Sequence, residues 1–191
     1  MSRPSPQQIK QLIRESISDR AAADTIIAQL RDDELERGEL RFTEDMLNNA
    51  LRDVMLKSVP NGMLKDYRVT LRDGALGLTL KGNAMKIPFT AAYTVRFTGF
   101  SFAKSKGHRI QGRYDEKISG VPRFAYASHG SLLRFLVVQS KSGLNVTADS
   151  FDISLDTIPA FTNWLSAHPL FDDCTVRMGR IADGTLPFRF D

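Results

Sequence analysis

The chain has one cysteine, Cys174, in 191 residues, so it can form no internal disulfide and no cysteine-rich metal site. A lone free thiol is usually a small core side chain, and Cys174 reads as one, near the start of a strand. Histidine is scarce: His108, His129 and His168 are far apart, and none has the H-x-x-x-H spacing of a metal-binding helix. Ser131 stands in His129-Gly130-Ser131-Leu132 and lacks the G-x-S-x-G elbow of an activated nucleophile. Asp172-Asp173 is an adjacent pair in a loop after a helix, which reads as two solvated carboxylates. There is no phosphate-cradling glycine loop and no nucleotide-binding βαβ unit. The expectation is a non-enzymatic protein without metal or cofactor. No apolar run approaches the roughly 20 residues of a membrane helix, and the first ten residues are polar, with no apolar signal core. The chain as it stands reads as cytoplasmic, or as periplasmic or membrane-peripheral if a signal was removed.

Charge is unevenly distributed. Residues 1–55 carry 8 basic and 11 acidic side chains, residues 56–141 carry 15 and 4, and residues 142–191 carry 3 and 7. A basic middle between acidic ends suits an anionic partner or a solvated sheet surface.

That basic middle is also where the alternation is strongest. Tyr67, Val69 and Leu71 alternate with Arg68, Thr70 and Arg72. Asp73-Gly74 follows, and then Leu76, Leu78 and Leu80 alternate with Gly77, Thr79 and Lys81. Asp-Gly between two alternating runs is a strong hairpin signal, because a tight hairpin turn needs positive φ. After Gly82-Asn83 comes a long run in which Ile87, Phe89, Ala91, Tyr93, Val95 and Phe97 share one face. Period two puts these residues on one side of an antiparallel sheet. Past Gly99 the chain carries Phe100 and Phe102, turns through Lys104-Ser105-Lys106-Gly107-His108-Arg109, and returns with Ile110, Gly112 and Tyr114 on one side. A further strand is expected at Phe151, Ile153 and Leu155, and a last hairpin at Asp183-Gly184.

Helices precede and interrupt the strands. Ser5-Pro6-Gln7-Gln8 has the form of a capping box with proline at the first helical position. The helix it opens, over residues 6–30 with a break near Ser18-Asp19, is amphipathic. Residues 31–41 read as a charged linker containing Gly38. Thr43 caps a second helix, with Glu44 and Asp45 in its first turn, which ends before Pro60-Asn61-Gly62. Ser128 opens a short helix carrying Leu132, Leu133, Leu136 and Val137, and Thr157 opens another with Phe161 and Trp164. The division expected is an N-terminal helical segment, 1–35, and a sheet domain, 36–191.

The segment Phe42-Thr43-Glu44-Asp45-Met46-Leu47-Asn48 resembles the opening helix of bacterial lipid-binding proteins of the tubular, TULIP-like kind. The Asp73-Gly74 hairpin and long meander after it, the Gly120-Val121-Pro122-Arg123 step into a leucine-rich helix, and the final Asp-Gly hairpin follow the same order. The resemblance covers about residues 40–190. It implies an α+β fold in which a strongly curved antiparallel sheet of six or seven strands wraps on helices and leaves an apolar groove for a phospholipid acyl chain. Tyr67, Val69, Leu71, Leu76, Leu78, Leu80, Ile87, Phe89, Tyr93, Val95 and Phe97 would face that groove. Leu132, Leu133, Leu136 and Val137 would form its other wall, and Lys104, Lys106 and Arg109 would meet the headgroup or an anionic membrane. The same alternation also suits a closed core. The alternative function is therefore a cytosolic interaction or scaffold module that binds a protein partner through residues 6–30. Nucleic acid is not expected, because the aromatic and basic side chains fall on opposite faces of the strands, whereas a stacking platform needs them together.

Overall fold

A computed structural model describes residues 3–58, 64–84, 87–120, 131, 145–172 and 174–191. The first helix, α1 (Pro6–Ser16), begins with the capping box its sequence spells. Ser5 Oγ accepts from the Gln8 N–H at 3.3 Å, and Gln8 Oε1 accepts from the Ser5 N–H at 2.8 Å. After a break, Asp19 caps α2 (Arg20–Gln29) by accepting from the Ala22 N–H. The charged stretch 31–41 is ordered secondary structure: it forms α3 (Asp32–Glu36), anchored by the buried Leu35, and leads into β1 (Glu39–Thr43). A π-helical turn, Met46–Ala50, and α4 (Arg52–Ser58) follow in place of one continuous helix.

The remaining described elements are β2 (Leu64–Arg72), β3 (Ala75–Ala84), β4 (Ile87–Ala103), β5 (Gly107–Ser119), β6 (Asn145–Val146), β7 (Ser150–Ser154), α5 (Pro159–Ala167), β8 (Val176–Met178) and β9 (Thr185–Phe190). The fold is α+β, with one open antiparallel sheet of nine strands among the described residues. Six or seven were expected. The additional strands are β1, whose alternating Leu40 and Phe42 adjoin a stretch that reads as a charged linker, and the two-residue β6; both lie at ends of the sheet.

The 17-residue strand β4 organises the sheet. One of its edges pairs with β5 from Thr90 to Ala103. Its other edge is shared: β3 takes Ile87–Val95, and β8 takes Phe102. The sheet therefore forks, with β2 and β3 on one branch and β8, β9 and β1 on the other. A bulge between Phe97 and Gly99 lets β4 serve both branches. Before it, odd-numbered residues face inward; after it, Phe100 and Phe102 oppose Ile110 and His108 and continue the same apolar face. At Gly112, opposite both Phe97 and Phe151, those two rings meet edge to face at 6.2 Å. A Cβ there would lie 2.5 Å from the Phe151 ring.

Both Asp-Gly pairs are tight turns with positive φ at the two central residues, +53° and +74° at Asp73-Gly74 and +51° and +72° at Asp183-Gly184. This is the twist that a two-residue hairpin favours. The two turns join the branches: Gly74 N–H donates to the Ile181 carbonyl at 2.9 Å, and Gly184 N–H donates to the Leu71 carbonyl at 3.0 Å.

Three apolar clusters fill the molecule. Ile9, Ile13, Ala23, Ile26 and Leu35 from the N-terminal helices share one with Leu40, Met46, Phe171, Cys174, Val176 and Phe190. Trp164 Nε1 donates to Ser16 Oγ at 3.1 Å, and the His168 ring lies 3.1 Å from a Glu15 carboxylate oxygen, tying α5 to α1. Tyr67, Val69, Leu71 and Ile181 form the second cluster, and Ala91, Tyr93 and Tyr114 the third.

The edge of β2 is closed by side chains. Asn48 Nδ2 donates to the Val69 carbonyl at 2.8 Å, and its Oδ1 accepts from the Val69 N–H at 2.6 Å. Glu44 Oε1 accepts from the Leu71 N–H at 2.7 Å, and the Tyr67 hydroxyl donates to the Leu47 carbonyl. Segment 44–48 thus occupies the position of a neighbouring strand and removes an open edge. Replacing Asn48 with alanine leaves a carbonyl and an N–H of one residue unpaired, and should lower stability by about 2 kcal/mol. Urea unfolding measures this directly, and a loss of less than about 0.5 kcal/mol, as at an ordinary surface position, would contradict the role given to Asn48.

Candidate functional site

The inner face of β2–β5 is largely apolar and built row by row, with Glu116, opposite Tyr93, as its charged member. Val69, Leu78 and Tyr93 lie directly opposite one another, as do Leu71, Leu76, Val95 and Tyr114, and Tyr67, Leu80, Ala91 and Ile118. Directly opposed residues share a face, so the register brings together Tyr67, Val69, Leu71, Leu76, Leu78, Leu80, Tyr93 and Val95 as expected. Phe89 and Phe97 extend the surface to either side.

Coverage of this face is uneven. Tyr67, Val69, Leu71, Ala91, Tyr93 and Tyr114 are buried. Leu76, Leu78, Leu80, Phe89, Val95 and Phe97 are only half-buried. Ile87, at the start of β4, is exposed at 43%. The second wall expected at Leu132, Leu133, Leu136 and Val137 lies outside the described residues, as does His129. Ser131 is described: it is fully buried, and its hydroxyl lies 2.7 Å from that of Tyr114, which also donates to the Thr147 carbonyl at 2.7 Å.

The turn at 104–109 is less uniformly cationic in space than in sequence. Lys104 and Lys106 are exposed. Arg109 is bound to Asp152, its Nε donating to one carboxylate oxygen at 2.6 Å and its terminal nitrogen to the other. The hydrogen bonds from Arg109 and Gln111, weighed against burial, hold the Asp152 carboxyl below the usual carboxylate range. His108 points inward. Its ring is buried against Phe102, with centroids 4.5 Å apart, and near Phe161 at 5.4 Å.

His108 and Asp156 form the closer of the two histidine–carboxylate pairs seen among the described residues. Nδ1 lies 2.6 Å from Asp156 Oδ1, and the His108 backbone N–H donates to Oδ2 at 2.9 Å. His108 Nε2 is buried without a hydrogen-bond partner. Five open cavities of 300–690 Å³ are bordered wholly by described residues, and neither His108 nor Asp156 lines any of them. Of the expected lining residues, Phe97 borders one: a cleft of about 360 Å³ at the fork of the sheet, with Thr98, Gly99, Met178 and Arg180. Among the described residues no group of three or more His, Cys, Asp or Glu side chains is placed to hold a metal ion, and no helix is long and apolar enough to cross a membrane. Cys174 is buried, and burial, with Asp191 nearby, pushes its thiol up.

No family model, no curated protein and no solved structure matches the chain.

Two features of this region escape a sequence reading. Asn48 and Glu44 act on the β2 backbone, and their spacing in the chain looks like that of ordinary helix residues. The bulge in β4 brings the even-numbered Phe100 and Phe102 onto the inner face, and a glycine in a long strand is the one signal of it.

The Asp156 carboxyl gives a pH prediction. Burial raises it, but the backbone N–H, ring N–H and charge of His108 outweigh that and hold it below its ordinary value. The folded state therefore favours the carboxylate. Its contribution to stability is complete above the unfolded value, about 4, and is lost as pH falls through the lower folded value. The Tm difference between the native chain and Asp156→Asn should be largest near neutrality and close under strong acid. A gap that stays constant down to pH ~2 would contradict this coupling.

Proposed function

We propose that the protein is a non-enzymatic carrier or binder of an amphiphile, with an acyl chain lying on the inner face of β3 and β4. The observation that carries this reading is the half-buried strip Leu76, Leu78, Leu80, Phe89, Val95 and Phe97, set between buried rows. Partly covered large apolar side chains that adjoin one another along two strands offer an elongated apolar ligand a contact surface. From Ile87 to Phe97 the strand extends roughly 34 Å at about 3.4 Å per residue. One leaflet's share of a bilayer core is about 15 Å, so the strip has ample length for one acyl chain. Each methylene buried on it contributes roughly 0.8 kcal/mol.

The other segment considered, residues 6–30, offers a partner mainly its polar side. Ile9, Ile13 and Ile26, the anchors that a free amphipathic helix would present, lie in the chain's own core.

Native mass spectrometry of the purified protein, followed by organic extraction, tests the reading. The expected result is a discrete adduct of amphiphile mass that disappears in Phe89→Asp and Val95→Glu variants retaining native circular dichroism. A ligand-free mass that persists after incubation with phospholipid would refute it.

A further inference from the structure

The inner apolar strip runs out at one end of the sheet, and that end has its own chemistry. Ile87 and Pro88 at the start of β4 are exposed, and Ile87 is the one large apolar side chain with high exposure among the described residues. Ile87 stands opposite Ala84, and Pro88 opposite Asn83. Further along the strands, on the outer face, Lys81 pairs with Thr90, roughly 10 Å from Ile87, and Arg68, Thr79, Ala92 and Lys117 form one cross-strand row roughly 17 Å from it. At about 4.8 Å between strands, that row spans roughly 14 Å. Lys65 lies beside Asn83, its ammonium 3.0 Å from the side-chain amide oxygen.

The balance of charge at this end is positive. Arg68, Lys65, Lys81 and Lys117 are all exposed. Asp66, the acidic neighbour on the same face, is already bound to Arg52 at 2.7 Å. Arg68 and Lys117 have no ion-pair partner among the described residues. The opposite end of the sheet is different, since Arg109 is neutralised by Asp152 and His108 is buried.

We infer that this end of β3–β4 docks on the surface of an anionic phospholipid bilayer, with Ile87 and Pro88 entering the interface and Lys65, Arg68, Lys81 and Lys117 meeting the phosphates. An exposed apolar tip with lysine and arginine on the adjoining face combines the apolar and electrostatic contributions of interfacial membrane binding. A nucleic acid would leave the apolar tip without a partner, and the basic row offers it threonine and alanine in place of stacking aromatics. The inference rests on the amphiphile reading: the same tip continues through Phe89 into the half-buried strip, so a chain leaving the bilayer would reach that strip without crossing a polar surface.

Sedimentation of the full chain with vesicles tests this. Vesicles of mixed phosphatidylglycerol and phosphatidylcholine should retain the protein at low salt, and pure phosphatidylcholine should retain little. Each basic residue near an anionic surface is worth about fivefold in binding, so Lys81→Gln/Lys117→Gln should lower partitioning about 25-fold. High salt should weaken native binding, because the screening length falls to about 3 Å at 1 M. Ile87→Ser and Ile87→Asp, checked for native circular dichroism, should both weaken binding, the second more. The inference is overturned if anionic vesicles fail to retain the native chain, if the loss is confined to Lys104→Gln/Lys106→Gln, or if single-stranded RNA displaces the protein from vesicles at equal charge. Retention of an extracted amphiphile without vesicle binding would overturn the docking site and leave the carrier reading standing. Vesicle binding without any retained amphiphile would do the reverse.

Discussion

The two hydrogen bonds between the Asn48 side chain and the Val69 backbone hold the β2 branch of the sheet in place. The β2–β3 hairpin joins the sheet only through β3, so β2 is an edge strand with no neighbour of its own. An open edge beside an apolar face is a template for aggregation. Asn48 and Glu44 close it with a side-chain amide and a carboxylate in place of a backbone. Because they come from the segment joining β1 to α4, they also fix where that segment lies across the inner face. Leu47 and Leu56 then pack on the Tyr67–Val69–Leu71 row, and the two Asp-Gly turns lock the branches together at the far end of β2.

The functional reading follows from how much of the inner face this arrangement covers. Segment 44–58 reaches β2 and buries it. The third cluster buries Ala91, Tyr93 and Tyr114. Between the two, the side chains of β3 and parts of β4 stay half-covered. It is on this half-covered middle of the face that the acyl chain is proposed to lie. The basic outer face near Ile87 and the apolar strip share one end of the same strands, so the sites proposed for a bilayer and for an acyl chain are continuous.

Much of this was legible in the residues themselves. Asp73-Gly74 and Asp183-Gly184 lie between alternating runs and form the turns expected of them. The Ser5–Gln8 capping box is present as spelled. The alternation from Tyr67 to Phe97 assigned the inner face residue by residue, since period two leaves little freedom once one side is apolar. The rest depended on non-local structure. Strand β6, at two residues, is too short for a periodic signal, and β1, whose alternation is masked by its charged surroundings, gains its place by pairing with β9, some 150 residues away by the register Glu39↔Arg189. The bulge near Gly99 reverses which residues of β4 face inward and so puts Phe100 and Phe102 on the inner face, while His108, which reads as part of a cationic turn, lies on the same face of β5 as Ile110, Gly112 and Tyr114 and pairs with Asp156. Ile87 obeys the alternation and is nevertheless exposed, because alternation gives the face of a side chain and not what covers it. The charged stretch 31–41 reads as a linker by composition, but the buried Leu35 and Leu40 anchor it.

The most direct test of the central claim is methyl NMR of the full chain titrated with a spin-labelled fatty acid. The account predicts paramagnetic broadening of the Leu76, Leu78, Leu80 and Val95 methyl signals, with Ile9 and Ile26, deep in the other cluster, unaffected. Broadening confined to surface methyls away from β3 and β4, or none at saturating ligand, would contradict an acyl-chain site on the inner face of the sheet.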